Sequence, residues 1–113
     1  MNIQIFGTSK SFDTKKAQRW FKERGIRFQN IDLKEKPMSR GEFDSVKQAL
    51  GGYEAMIDPN AKDKQTLALL QCLVEYQREE KLFENQQLLR QPIVRNGRKA
   101  TAGYAPEVWA SWE

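Results

Sequence analysis

Two short apolar runs joined by one amphipathic helix occupy the first 33 residues, and no other feature limits the fold as much. Ile3 and Ile5 alternate with Asn2 and Gln4, the period-two pattern of a strand with one buried face, and Gly7 ends the run. After a loop, Ala17, Trp20 and Phe21 fall at i, i+3 and i+4, with the stem of Arg24 extending the stripe, while Lys15, Lys16, Arg19, Lys22 and Glu23 face water. Gly25 is a natural stop for this helix. Residues 26–33 then place Ile26, Phe28, Ile31 and Leu33 in a second strand with one slip of register. A strand, helix and strand of this length predict a right-handed βαβ unit with parallel strands.

The middle of the chain reads as helical. Ser39 and Glu42 have the spacing of a capping box and open a helix through Leu50, closed by Gly51-Gly52. Asp58-Pro59-Asn60 predicts a turn with Asn60 as N-cap, and Leu67, Leu70, Leu73 and Val74 carry a helical stripe to about Tyr76. A third short helix is expected over residues 79–89, with Leu82, Phe83 and Leu89 inward. Near the end, Ile93-Val94-Arg95 and Arg98-Lys99-Ala100-Thr101 flank Asn96-Gly97, the preferred dipeptide of a two-residue type I′ hairpin. Pro106 then starts a last helix carrying Val108, Trp109 and Trp112. The order βαβ, inserted helices, ββ, α is that of an α/β protein with a thioredoxin-like, glutaredoxin-like core. The helical insertion spans residues 38–89 or so, and the 113 residues form one domain.

Composition removes several classes of function. One cysteine, Cys72, leaves no internal disulfide, and no apolar stretch reaches the about 18 residues of a spanning helix. No charged-then-apolar leader opens the chain, so a cytoplasmic, reducing location with no membrane association is expected. With no histidine, a structural zinc site is excluded, and no resident cofactor or metal is expected. Cys72 lies inside the apolar stripe of residues 67–74, which predicts a small, buried and inert thiol. The net charge of +4 is uneven: residues 1–30 hold seven Lys/Arg against two acids, and the remainder twelve against thirteen. The basic excess around Ser11 favours an anionic ligand or acidic partner there, with no direct nucleic-acid binding. Arg95, Arg98 and Lys99 match no nucleic-acid motif.

Three segments carry a resemblance. Residues 7–17, GTSKSFDTKKA, residues 85–94, NQQLLRQPIV, and Gly103-Tyr104 occur in the order and settings of the ArsC/Spx family of thioredoxin-fold proteins, which the chain resembles along essentially its whole length. The first segment looks most like the branch in which position 11 is cysteine or, in some members, selenocysteine. The resemblance implies a thiol- or selenol-dependent reductase acting at position 11 on arsenate, a related oxyanion or a glutathione mixed disulfide, with glutathione, thioredoxin or glutaredoxin as electron donor. It implies anion or substrate contacts from Thr8, Lys10, Lys15, Arg90, Gln91 and Pro92, and a cis bond before Pro92. A monomer is expected.

Ser11 departs from that chemistry. A thiol at the first turn of a helix, near Lys10 and Lys15, is pulled toward ionisation at neutral pH, whereas a serine hydroxyl stays protonated and has no redox ladder. Two origins stand for it: a natural member that lost the chemistry, or a chain with Ser where the gene encodes Cys or selenocysteine. Ser11, Asp13 or Thr14 also serves as a helix cap. Two further departures bear on substrate. Gln91 stands where arsenate-reducing relatives have arginine before the proline, with Arg90 one residue earlier, and Tyr104 follows Gly103 where those relatives have arginine. Tyr104 is closer to the Spx side, whose regulators bind the C-terminal domain of the RNA polymerase α subunit and sense oxidants through Cys-x-x-Cys. Thr14 fills the second of those positions.

Overall fold

A computed structural model describes all 113 residues. The predicted βαβ unit is formed by β1 (Ile3–Gly7), α1 (Phe12–Glu23) and β2 (Phe28–Asp32), with β1 and β2 parallel. The insertion holds α2 (Arg40–Leu50), α3 (Lys64–Leu70) and α4 (Glu75–Glu84), with 3-10 turns at Tyr53–Met56 and Gln86–Leu88. The hairpin of β3 (Ile93–Asn96) and β4 (Lys99–Ala102) and the terminal α5 (Pro106–Ala110) complete the chain. The sheet order is β2-β1-β3-β4, with β3 antiparallel to both β1 and β4.

Each face of the sheet has its own core. Ile3, Ile5 and Val94 pack with Ala17, Trp20 and Phe21 of α1 and Trp109 of α5. Phe6, Ile31 and Ile93 face the opposite way, into the insertion, among Met38, Phe43, Val46, Met56, Leu82 and Leu88. The slip in β2 follows from this: Phe28 pairs with Ile3 on the α1 face, whereas Ile31 pairs with Phe6 on the insertion face. A strand covered on both sides needs apolar residues of both parities. The buried Trp109 donates its indole N–H to Thr101 Oγ1 at 2.8 Å, so the large ring is buried without an unpaired donor.

Several expectations need correction. The hairpin loop is Gly97-Arg98, with Asn96 paired to Lys99 inside the ladder. Only Gly97 has positive φ, at 61°, so the type I′ pattern, which needs it at both loop residues, is not adopted. Asn60 does not cap α3. Its N–H donates to Asp58 Oδ1 at 2.8 Å within the turn, and Asp63 caps the helix by accepting from Thr66 N at 3.1 Å. The stripe from Leu67 does not run to Tyr76: α3 ends at Leu70, and a new helix starts at Glu75. Arg78 stabilises that corner by donating to the carbonyls of Leu70 and Leu73, both at 3.0 Å. Cys72 therefore lies on the corner and is exposed, and the expectation of a buried thiol fails. The helix expected over residues 79–89 spans Glu75–Glu84, and Leu88 and Leu89 are buried beyond it.

Candidate functional site

The loop between β1 and α1 is shaped by one close approach. A Cβ on Gly7 would lie 2.3 Å from Thr14 Oγ1 and 2.7 Å from its Cγ2, so only glycine lets the strand end this close to the first turn of α1. Thr14 is 2% exposed and its hydroxyl has no hydrogen-bond partner, so position 14 is sealed beneath the loop. Ser11, the N-cap of α1, is half-buried at the surface of the same loop. Its Oγ accepts a hydrogen bond from Thr14 N at 3.2 Å, and its N–H donates to Thr8 O at 3.1 Å. The capping role expected of this region thus belongs to Ser11.

Gln91 ties the loop to the start of β3. Its Oε1 accepts from Thr8 N at 2.9 Å and from Thr8 Oγ1 at 3.1 Å, and the bond to the buried Pro92 is cis. Arg90 is exposed and leads elsewhere. Its N–H donates to Met56 O at 2.7 Å, and a Cβ on Gly103 would lie 3.8 Å from its Cδ.

These residues border a cleft of ≈ 970 Å³ between the β1–α1 loop and the insertion. Thr8, Lys10, Ser11 and Gln91 line it; Lys15, Arg90 and Pro92 do not. Its floor is partly apolar, with Leu33, Met38, Phe83 and Leu89. Its charges are mixed, because Lys10, Lys34 and Lys62 share the walls with Asp13, Asp58, Asp63 and Glu84. Of the basic excess in residues 1–30, only Lys10 reaches the cleft; the remainder lies on the outer side of α1 and beyond.

Among the cleft residues that the sequence reading does not single out as site residues are Gln86 and Asp63. Gln86 is buried, accepts from Met38 N at 2.7 Å and donates to Met38 O at 2.9 Å, fixing the segment that leads into α2. No local pattern announces such a pairing across 48 residues. Asp63 was legible, since an aspartate three residues before Thr66 and ahead of an apolar stripe is an N-cap signature. Its carboxyl is held below the usual value of 3.8, chiefly by hydrogen bonds from the Thr66 side chain and backbone, with a further one from Gln87.

As a chemical device the site is a capped helix N-terminus opening on a roomy, partly apolar cleft. The hydroxyl at its mouth has no base hydrogen-bonded to it, and the chain has no histidine to serve as one. The element order and the sheet order define a thioredoxin-fold protein of the glutaredoxin-like kind. The model of the ArsC family matches residues 6–112, and the chain belongs to that family. It is 28% identical over 111 residues to the global transcriptional regulator Spx 2 of Oceanobacillus iheyensis, covering 92% of this chain and 78% of that protein. Among solved structures it is similar to an ArsC-family-related protein from Bacteroides fragilis, with a TM-score of 0.83 at 18% identity over 100% of this chain and 98% of the other. The arsenate reductase from Vibrio cholerae gives a TM-score of 0.81 at 23% identity, over 98% and 97% of the two chains. No helix is long and apolar enough to cross a membrane.

Proposed function

We propose that the chain is a glutaredoxin-like ArsC-family scaffold that receives an oxyanion or a glutathione mixed disulfide at position 11, and that Ser11 withholds the thiol step. One observation carries this reading: Ser11 Oγ accepts from Thr14 N at the first turn of α1 while lining the cleft. A sulfur in that place would be drawn toward its thiolate by the helix N-terminus, with Lys10 on the same wall. A serine hydroxyl stays protonated there and forms no disulfide. Recognition then rests on Thr8, Lys10 and Gln91 on the cleft wall, with Lys15, Arg90 and Pro92 outside it. Glutathione, thioredoxin or glutaredoxin supplies electrons once a thiol is present. A monomer in a reducing cytoplasm suffices for this role.

The Ser11→Cys chain tests it. In the variant, the thiolate attacks the mixed disulfide, takes up one sulfur as a new disulfide at position 11 and releases the other as a thiolate; a second thiol from glutathione then regenerates the cysteine. Reduction of a glutathione-linked model disulfide or of arsenate by the variant, with none by the unsubstituted chain, is the expected result. Turnover by the unsubstituted chain, or an inert variant, contradicts it.

A second reading, a Spx-like regulator that binds the C-terminal domain of the RNA polymerase α subunit, draws support from the likeness to Spx 2 and from Tyr104 after Gly103. In that role no redox switch operates through positions 11 and 14, because Ser11 and Thr14 carry hydroxyls and no sulfur. Binding of the purified polymerase domain together with an inert Ser11→Cys variant selects this reading.

A further inference from the structure

The outward face of α1 carries charge that nothing else in the fold neutralises. Successive residues of an α-helix advance by about 100°, which gathers Phe12, Lys15, Lys16, Arg19, Lys22 and Glu23 into one arc opposite the buried Thr14, Ala17 and Phe21. The ion pairs of the protein join Arg40 and Lys47 to Asp44, Glu79 and Glu80, and none involves α1. Lys15 and Arg19 at i,i+4, and Lys16 with Arg19 and Arg19 with Lys22 at i,i+3, are like-charged neighbours that oppose the helix. At the head of the arc stands Phe12, 75% exposed and the most exposed large apolar side chain of the molecule. Lys16 Nζ lies 5.9 Å from the centre of its ring and 4.2 Å from that of Tyr104, so an aromatic and cationic cluster joins the arc to the terminal segment.

We propose that this face docks an acidic protein segment, a stretch of polypeptide whose Asp and Glu side chains meet Lys15, Lys16, Arg19 and Lys22 while one apolar side chain covers Phe12. Charge complementarity commits the surface to protein. The helix is only about 18 Å long, Asp13 flanks the arc, and Glu23 closes it. Beyond residue 30 the chain holds twelve basic residues against thirteen acidic, so the net positive charge is confined to residues 1–30, a short footprint for a nucleic-acid backbone. The apolar side of α1 is used up on the sheet, which leaves Phe12 alone to enter a bilayer. Phe12 also lines the cleft, so a segment held on this face is led to its mouth. The docking does not depend on a thiol at position 11, and its test leaves Ser11 untouched.

The experiment measures binding of the full chain to a fluorescent peptide with Glu at three- and four-residue spacing and one Leu. Comparison arms use the same peptide with Gln for Glu, a single-stranded DNA of equal charge, and vesicles of phosphatidylcholine with phosphatidylserine. The acidic peptide is expected to bind with an affinity that falls as salt rises. The double variant Arg19→Glu, Lys22→Glu should weaken it by about tenfold or more, and Phe12→Ala should weaken it severalfold. The pair Arg98→Glu, Lys99→Glu on the hairpin should leave it unchanged. Tighter binding of the DNA or the vesicles, equal binding of the Gln peptide, or an equal loss in the hairpin variant overturns the proposal. If circular dichroism shows that the double reversal unfolds the chain, the neutralising variant Arg19→Gln replaces it, with about threefold weakening expected and no change contradicting the proposal.

Discussion

The oxygen of Ser11 is committed to the backbone: it takes the Thr14 N–H, one of the donors that α1 leaves without a partner in its first turn. Ser11→Ala should therefore cost about 1 kcal/mol of stability, while Ser11→Asp, which caps equally well, should cost little. The shift of the urea midpoint at unchanged slope measures both. An alanine variant as stable as the parent would show that the cap contributes nothing. Gln86 closes backbone groups deeper in the protein, its side chain holding both Met38 N–H and C=O in the buried interior. Gln86→Leu leaves two buried groups without partners, and a loss of about 3 kcal/mol is expected from the usual cost of each. A loss well under 1 kcal/mol in the same denaturation measurement would contradict it.

At the scale of elements, what the sequence discloses tracks how local the determining interactions are. The α2 helix was readable at both ends because its signals lie within it: Ser39 Oγ accepts from Glu42 N at 3.2 Å, Glu42 Oε1 accepts from Ser39 N at 2.9 Å, and Gly51 adopts φ 81° at the C-cap. The corner between α3 and α4 has no glycine or proline to announce it. It is made by the Arg78 guanidinium on two carbonyls, so the apolar stripe from Leu67 read as one long helix and Cys72 as buried. Asp63 gives the α3 cap a pH signature. Its folded-state pKa lies below the unfolded one, so its contribution is fully present above the unfolded value and is lost as pH falls through the folded value. The stability difference between the parent and Asp63→Asn should be constant near neutrality and shrink on acidification below about pH 4. A difference that is flat into the acid range would contradict it.

Across the whole molecule, the order of elements was legible because each strand and helix carries its own period. The division of the core was not, since burial of β1 and β2 on both faces depends on an insertion folded from residues far along the chain. The same limit applies to the cleft. Ser11, Thr8, Lys10 and Gln91 lie in the segments that carry the family resemblance, whereas the opposite wall, from Asp58 to Asp63 and from Phe83 to Gln87, is supplied by the insertion. The basic excess of residues 1–30 divides into a single lysine in the cleft, an outward stripe on α1, and Arg24 and Arg27 beyond the helix, because charge counted along a chain carries no helical phase.

The thiol pKa of a Ser11→Cys chain, read by thiolate absorbance in a Cys72→Ser background, tests most directly whether position 11 sits at an activating helix mouth. A value of about 7 or lower is predicted, against about 8.5 for an unperturbed cysteine. A value at or above about 8.5 would contradict the placement of redox chemistry at this position.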